Sequence, residues 1–238
     1  MSAPGGSSIS PPWNVGEAVA HVRERIASAA GRAGRRQEEI TLVAVTKGVA
    51  LSRIREAVAA GVVDVGESRV QEAAPKVAAL REAVRWHLVG HLQRNKAPLA
   101  AGLFNVIHSL DSVRLAETLS RHAPQRVDVL VQVNVAREPQ KYGLPPEALA
   151  DVLRSVASLP GIRVVGLMTI PPLHPDPEHA RPLFRRLRTL RDEGARVLGT
   201  ALPHLSMGMS DDFEVAVEEG ATLVRVGRAI FGPRDRAG

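Results

Sequence analysis

One lysine of this chain stands where covalent chemistry is feasible. Lys47 closes the run TLVAVTK, residues 41–47, which is the strongest candidate for a buried strand in the sequence. A lysine held in the mouth of a barrel is partly desolvated, which lowers its pKa and makes the amine nucleophilic toward an aldehyde. Lys47 is therefore a candidate for Schiff-base formation. The alternative is a structural lysine whose ammonium group reaches out to water.

Two short segments near the carboxyl terminus are suited to binding a phosphate. The segment SMGMS, residues 206–210, is small or flexible enough to bring backbone N–H groups close to an oxyanion, and Ser210 is placed to cap a helix starting at Asp211. The second segment is Gly227-Arg228. The alternative is an ordinary capping turn, in which Asp211 and Asp212 would repel a phosphate unless they point away.

The elements that must position these residues alternate along the chain. Near-continuous runs of Val, Leu and Ile are typical of parallel strands covered on both faces, and each run but the last is followed by a helical pattern. Eight strand–helix units predict a single (β/α)8 TIM barrel, with an open doubly wound sheet as the alternative. The eight candidate strands are residues 41–47, 62–67, 86–90, 106–111, 128–134, 162–170, 203–208 and 223–227.

Closure of the barrel would pair the eighth strand with the first. Arg225 and the 206–210 loop would then lie near Lys47, in the region where such barrels gather their functional side chains. A reactive lysine, an arginine and a phosphate-binding loop in one mouth match the aldehyde, ring nitrogen and phosphate of pyridoxal 5′-phosphate (PLP). The residues themselves therefore predict PLP as cofactor.

Other polar residues near strand ends give weaker signals. His87 and His91 are four residues apart, but they flank a strand end, lack a third ligand and lack the glutamate of an HExxH motif, so we expect no metal. Glu67 and Asp111 could act as acid or base groups. Their position between a strand and a helix favours helix caps instead.

The composition excludes several classes of protein. The 238 residues include no Cys, which removes disulfides, Cys-based zinc sites and thiol catalysis, and aromatic residues are only 3%. The net charge of +6 would allow a polyanionic partner, yet the basic residues are dispersed. We expect no nucleic-acid partner, because the densest group is spaced as the solvent face of a helix: Arg181, Arg185, Arg186, Arg188 and Arg191.

The chain shows no membrane span and no secretory signal. No apolar run has the required length, and the first residues, MSAPGGSSISPPW, lack both a basic and a hydrophobic region. We therefore expect a cytoplasmic protein. Residues 1–13 are predicted to be a disordered tail, 14–232 a PLP-binding barrel domain that begins with an extra amphipathic helix over 14–33, and 233–238 a short C-terminal tail.

The sequence resembles the pyridoxal phosphate homeostasis proteins, and the match runs in order from about residue 14 to residue 232. The pairing of LSMGMSDD with VRxGxxIFG is far more specific than a lone glycine loop. The matching segments are LVAVTK (42–47), VGESRVQE (65–72), WHLVGHLQRNK (86–96), NV…KYG (134–143), VGLMTIP (165–171) and LSMGMSDDFEVAVEEGATLVRVGRAIFG (205–232).

The resemblance implies a barrel of the alanine racemase N-terminal type and assigns roles to single residues. Lys47 resembles the cofactor lysine, and Arg225 the arginine that faces the pyridine nitrogen. Two positions depart from many relatives: Ser68 stands where they have Asn, and Arg228 where they have Thr. Ser206, Ser210 and Gly227 resemble phosphate contacts, and we place Gly208, Arg228, Met168 and Ser68 in the same cofactor site.

Three functions compete. The resemblance favours a protein of intracellular PLP homeostasis that binds, buffers and delivers the cofactor without efficient turnover. A PLP-dependent racemase or decarboxylase would need a second acid or base, commonly Tyr or Cys, from an additional domain, and the chain ends soon after strand eight with Tyr142 as its single tyrosine. A Schiff-base aldolase acting on a phosphorylated sugar would need more ionisable groups around Lys47. We expect a monomer whose partners are PLP and PLP-dependent apo-enzymes.

Overall fold

A computed structural model describes residues 13–80 and 82–233 and shows a closed parallel barrel. The strands pair in chain order, and β1 pairs with β8 through Val43 and Arg225. The predicted TIM barrel is therefore confirmed, and the open doubly wound sheet is wrong. The strands are β1 (Thr41–Val45), β2 (Asp64–Glu67), β3 (Arg85–Leu88), β4 (Val106–Leu110), β5 (Val127–Gln132), β6 (Ile162–Met168), β7 (His204–Ser206) and β8 (Leu223–Val226).

Helices cover the outside of the barrel. Each strand places alternate side chains toward the helices and toward the barrel axis, so both faces are buried. The helices are α1 (Val15–Arg32), α2 (Leu51–Ala59), α3 (Val70–Leu80), α4 (Ala97–Leu103), α5 (Val113–His122), α6 (Leu149–Val156), α7 (Arg181–Leu198), α8 (Phe213–Glu218) and α9 (Arg228–Phe231). No helix in the described ranges is long and apolar enough to cross a membrane.

The extra helix α1 is capped at its start and held against α8. The Asn14 side chain accepts a hydrogen bond from the Glu17 N–H at 3.0 Å, which caps its first turn. Farther along, Arg25 forms a bidentate pair with Glu214 of α8, and the apolar face predicted from the sequence is buried. Residues 1–12 and 234–238 of the two predicted tails lie outside the described residues. Trp13, assigned to the first tail, donates its indole N–H to the Ile230 carbonyl at 2.6 Å.

The arginine row of α7 pairs with carboxylates. Glu219, only 5% exposed, accepts contacts from Arg181, Arg185 and Arg188, and Arg181 also binds Glu218. Three of the five arginines therefore join α7 to the end of α8. Arg186 and Arg191 pair with carboxylates of α7 itself, and Arg185 and Arg186 remain largely exposed, as expected of a solvated face.

The barrel interior contains an apolar and a polar part. Seven apolar side chains form the inner cluster: Val43, Val89, Val106, Leu130, Val165, Met168 and Leu223. Beside them lie five buried polar side chains, each from a strand: Asp64, His87, His108, Ser206 and Arg225. Such polar groups are tolerated in an interior only when they are hydrogen-bonded.

Candidate functional site at the carboxyl end of the barrel

Lys47 lies in a tight turn just beyond β1 and is half-buried. The turn is fixed on both sides of the lysine. Thr46 donates its backbone N–H to the Gly66 carbonyl at 2.8 Å and its hydroxyl to the Glu67 carboxylate at 2.6 Å. Gly48 has φ +70°, a left-handed conformation that favours glycine. The backbone that carries the amine is therefore well defined.

A cluster of one lysine and two glutamates, buried at Glu67 and partly exposed at Lys76 and Glu72, contacts this turn. The Lys76 ammonium donates to Glu67 at 2.8 Å, to the Thr46 carbonyl at 2.8 Å and to Glu72 at 2.9 Å. Glu72 also accepts the Gly48 N–H at 2.5 Å. Burial raises the pKa of the Glu67 carboxyl, and the bonds from Lys76 and Thr46 oppose that rise. The expected role of Glu67 as a helix cap is wrong, because its carboxylate points to Lys76 and Thr46.

Arg225 on β8 is a buried cation at the same end of the barrel. Its Nη1 donates to the Ser206 hydroxyl at 2.5 Å and its Nη2 to the Thr169 carbonyl at 2.9 Å. Burial lowers the pKa of Arg225 to about 10, and the nearby charge of Asp212 raises it. The guanidinium therefore stays charged at neutral pH. Two of its five N–H donors are bonded by the contacts above, which leaves donors for a ligand.

Ser206 lies beneath the mouth and is fully buried. Its hydroxyl contacts Arg225 on one side and His108 Nδ1 on the other, at 2.8 Å. The side chain thus has two partners inside the barrel, and its contact with a phosphate stays a prediction. Ser206 therefore supports the arginine.

Sequence reasoning missed Asp64 and His108 and weighed His87 only as a metal ligand, yet these three residues continue from Ser206 across the barrel. His108 Nε2 lies 2.9 Å from His87 Nδ1, and His87 Nε2 lies 2.8 Å from the Asp64 carboxylate. Burial lowers the pKa of His87, and it lowers that of His108 further. The available signal was a histidine or an aspartate inside an otherwise apolar parallel strand, in VVDVGE, WHLVG and VIHSLD.

Glycines shape the two loops predicted to bind phosphate. Gly208 has φ +91°, and a Cβ there would lie 2.6 Å from the Ala216 Cβ and 2.9 Å from the Phe213 Cα. Gly227 follows β8, and a Cβ there would lie 3.1 Å from the Val45 carbonyl oxygen of β1. Only glycine fits at position 208, and the loop backbone therefore lies directly on the helix that follows.

Ser210 joins the two loops. Its hydroxyl accepts the Ala229 N–H at 3.3 Å, and α8 begins only at Phe213. The predicted capping of a helix from Asp211 is therefore wrong. The contact brings the loop after β7 against the loop after β8.

The two aspartates of this loop are turned to other partners. Asp212 accepts the Met209 N–H at 2.6 Å, and Asp211 forms an ion pair with Arg228. Both side chains of that pair are more than half exposed. The negative charge expected to repel a phosphate is thus partly compensated, and Arg228 lies at the rim of the loop after β8.

The remaining predicted site residues lie at other strand ends. Met168 ends β6 and is fully buried in the inner apolar cluster. Ser68 follows β2 and is half-buried, and Gly90 packs so closely on it that a Cβ would lie 2.3 Å from the Ser68 carbonyl oxygen.

A second polar group lies on the far side of the mouth, after β3, β4 and β5. The rings of His91 and Tyr142 stack with centroids 3.6 Å apart, and His91 Nδ1 lies 3.3 Å from the Asp111 carboxylate. Burial raises the pKa of Asp111, and the neighbouring His91 opposes the rise. Helix α5 is capped by Ser112, so the expected cap at Asp111 is wrong. No group of three or more His, Asp or Glu in the described residues is arranged to hold a metal ion.

The geometry assembles three chemical functions at one end of one barrel. Val43 pairs with Arg225 and Ala44 with Val226, so the ends of β1 and β8 are neighbours. An amine after β1, a guanidinium on β8 and close-packed glycine loops after β7 and β8 therefore share the mouth. This set suits a small ligand that carries an aldehyde, a hydrogen-bond acceptor and a phosphate.

The family model for the alanine racemase N-terminal domain matches residues 18–235. The pyridoxal phosphate homeostasis protein of Aquifex aeolicus is 46% identical over 225 residues, which is 93% of this chain and 99% of the relative. That of Escherichia coli K12 is 41% identical, over 91% of this chain and 95% of the relative. The structure of PipY from Synechococcus elongatus with PLP bound is 37% identical, has a TM-score of 0.80, and covers 92% of this chain and 100% of its own.

Both the barrel and these matches confirm the resemblance seen in the sequence. The chain therefore belongs to the alanine racemase N-terminal domain family and, within it, to the pyridoxal phosphate homeostasis proteins.

Proposed function

We propose that this protein binds pyridoxal 5′-phosphate and acts in its intracellular homeostasis. The observation that carries the proposal is the placement of Lys47 and Arg225 on neighbouring strands, at the end of the barrel that also holds the loops around Gly208 and Gly227. The cofactor agrees with the prediction from the sequence and with the PLP-bound structure of PipY.

The donor set fits each part of PLP. The Lys47 amine would hold the aldehyde carbon covalently, and the backbone of the loops at 206–210 and 227–229 would bind the phosphate. A buried arginine that donates to a hydroxyl and a carbonyl and has further N–H groups suits an acceptor such as a ring nitrogen. Ser210, Arg228, Met168 and Ser68 would line the same site.

Arg225 also gives a reason to expect low catalytic reactivity of the bound cofactor. When bound, PLP supplies an electron-withdrawing ring that labilises the Cα proton of an amino acid, most strongly when its ring nitrogen is protonated. A guanidinium only donates hydrogen bonds, so the nitrogen opposite Arg225 must accept and stays unprotonated. This favours storage and delivery of the cofactor over catalysis.

We propose further that turnover of amino acids is inefficient. A two-base reaction needs a second acid or base, and the chain contains no Cys and one tyrosine. That tyrosine, Tyr142, is stacked on His91 on the side of the mouth formed by the loops after β3 and β5. The racemase and aldolase alternatives have no comparable support. Delivery to PLP-dependent apo-enzymes, a monomeric state and a cytoplasmic location stay predictions from the sequence.

Borohydride trapping tests the covalent site. Protein incubated with PLP and reduced should carry one phosphopyridoxyl group on the peptide that contains Lys47, and Lys47→Ala should lose it. Lys96→Ala is the matched control, because Lys96 lies in the turn before α4 on another part of the barrel, and this variant should label as the wild type does. A label on Lys76, Lys96 or Lys141 in the wild type would contradict the assignment.

A further inference from the structure

Five side chains form a continuous hydrogen-bonded row through the barrel interior. The row runs from Arg225 on β8 to Ser206 on β7, His108 on β4, His87 on β3 and Asp64 on β2, with successive distances of 2.5, 2.8, 2.9 and 2.8 Å. All five side chains are buried, since none of them is more than 8% exposed. We call this row the Asp64–Arg225 chain.

The direction of the hydrogen bonds in the chain follows from its acidic end. A carboxylate only accepts, so His87 carries its proton on Nε2 and donates to Asp64. A neutral ring has one N–H, so His87 Nδ1 accepts from His108 Nε2, and His108 Nδ1 accepts the hydroxyl hydrogen of Ser206. The Ser206 oxygen is then left as an acceptor for Arg225, which agrees with a guanidinium that only donates.

The surroundings keep both rings neutral. Burial lowers the pKa of each histidine, and positive neighbours act in the same direction, while Asp64 opposes them at His87. The charged and titratable groups that act on the two rings are Asp64 from β2, Arg85 from β3, His204 from β7 and Arg225 from β8. A protonated ring would have two N–H groups and no acceptor for its neighbour in the chain, so protonation would break it.

We propose that Asp64, His87 and His108 are positioning residues for Arg225. Acting through Ser206, the one-way chain holds the Ser206 oxygen toward the guanidinium, while Thr169 holds its other nitrogen. Two fixed acceptors define the plane of the guanidinium and hence where its remaining donors point. This inference rests on the proposed function, since the ligand group that Arg225 would meet is the ring nitrogen of PLP.

The tautomers of the two rings test the chain without any ligand. Long-range ¹H–¹⁵N spectra of the wild-type protein should show His87 and His108 as neutral rings protonated on Nε2, with no titration between about pH 6 and 8. An Nδ1–H tautomer on either ring, or protonation of either ring in that range, would overturn the fixed direction.

The positioning role is tested by comparing the affinity for PLP with the affinity for N1-methyl-PLP, which differs at the ring nitrogen. N1-methyl-PLP cannot accept a hydrogen bond at its ring nitrogen and is permanently cationic there, so wild type should prefer PLP by at least about tenfold, the scale of one charge-assisted hydrogen bond. His108→Phe removes both bonds of the central ring and should reduce this preference, although repulsion between the charged Arg225 and the methylated ring remains. Asp64→Asn allows the hydrogen bonds of the Asp64–Arg225 chain to run in either direction and should reduce the preference for PLP partly.

Asp128→Asn is the matched control for Asp64→Asn. Asp128 lies near the start of β5, at the same end of the barrel as Asp64, but it pairs with Arg163 and Arg85 outside the chain. Its removal should leave the preference unchanged. If His108→Phe does not fold, Ser206→Ala breaks the chain at its other side and should show the same loss.

The outcomes separate the two proposals. Wild-type protein that binds neither compound would refute the proposed function, whereas the tautomers would still decide the direction of the chain. Wild-type preference that persists unchanged in folded His108→Phe or Ser206→Ala would refute the positioning role and leave PLP binding intact.

Discussion

The Lys76 ammonium lies 2.8 Å from the Glu67 carboxylate and 2.8 Å from the Thr46 carbonyl, one residue before Lys47. One buried ion pair thus fixes the backbone that carries the proposed reactive amine. Glu67 is fully buried. If its charge is removed, Lys76 keeps Glu72 as its remaining acidic partner among these contacts.

Glu67→Gln should therefore loosen the Lys47 turn. The neutral side chain keeps the shape but weakens the bond from Lys76, and we expect a loss of about 1–3 kcal/mol in the free energy of unfolding. Trapping of PLP by borohydride should also become slower. Urea unfolding and the trapping rate measure the two effects, with Glu38→Gln, at an exposed position, as control. Unchanged stability and trapping in Glu67→Gln would show that the pair has no such role.

Gly208→Ala should impair phosphate binding specifically. The added Cβ would lie 2.6 Å from the Ala216 Cβ, so the loop must move. We expect PLP to bind at least about tenfold more weakly, which corresponds to the loss of one good hydrogen bond to an anion. Pyridoxal, which lacks the phosphate, should be little affected.

Gly31→Ala provides the control for this loop. Gly31 lies in α1, and a Cβ there meets nothing within 4 Å. This variant should bind PLP as the wild type does. Equal weakening of PLP and pyridoxal in Gly208→Ala would indicate general distortion of the barrel and contradict a phosphate site in this loop.

Arg225→Glu should make the bound cofactor more reactive. A carboxylate opposite the ring nitrogen stabilises its protonated form, so an amino acid bound there should exchange its Cα proton in deuterated water faster than in wild type. Mass spectrometry of L-alanine follows the exchange, and chiral chromatography follows racemisation. Arg225→Lys keeps a donor and should remain as slow as wild type. Wild-type turnover on the order of 1 per second or faster would refute the proposal that Arg225 keeps bound PLP unreactive.

The stability of the protein should fall as the pH falls below about 6.5, the ordinary pKa of histidine. His87 and His108 have pKa values lowered by burial, so the unfolded chain takes up protons that the folded chain does not. Each ring then contributes a loss of about 1.4 kcal/mol per pH unit, fully regained above that pKa. Glu67, whose pKa is raised, acts in the opposite direction nearer the range of ordinary carboxyl groups.

Comparing wild type with His108→Phe isolates the contribution of the central ring. Urea unfolding at several pH values between 5.5 and 8 should show a shallower dependence in the variant. Identical pH dependence in the two proteins would mean that His108 is protonated equally in the folded and unfolded chains.

The strands were predictable because parallel strands covered on both faces have a simple signature. Runs such as TLVAV and LVRV are mostly apolar, and closure of eight such runs places Arg225 near the end of β1 without further information. Glycines at 208 and 227 were equally visible, since few other residues allow such close backbone contacts.

The side-chain partners were not predictable in the same way. Glu67 and Ser210 occupy positions typical of helix caps, yet tertiary contacts with Lys76 and Ala229 take their hydrogen bonds. His87 and His108 are 21 residues apart and meet only because both point to the barrel axis. Whether a side chain points toward or away from the barrel axis depends on strand register, which a single sequence indicates only weakly.

Closure of β1 against β8 sets an order of events during synthesis. Val43 and Arg225 pair directly, although the whole of the barrel separates them along the chain. A ribosome that has released the strand leading to Lys47 has still to make nearly all of the protein before Arg225 and the loops at 206–210 and 227–229 exist. We therefore expect the proposed site to be complete, and able to hold the cofactor with all of these groups, only once the last strand has emerged and closed the sheet.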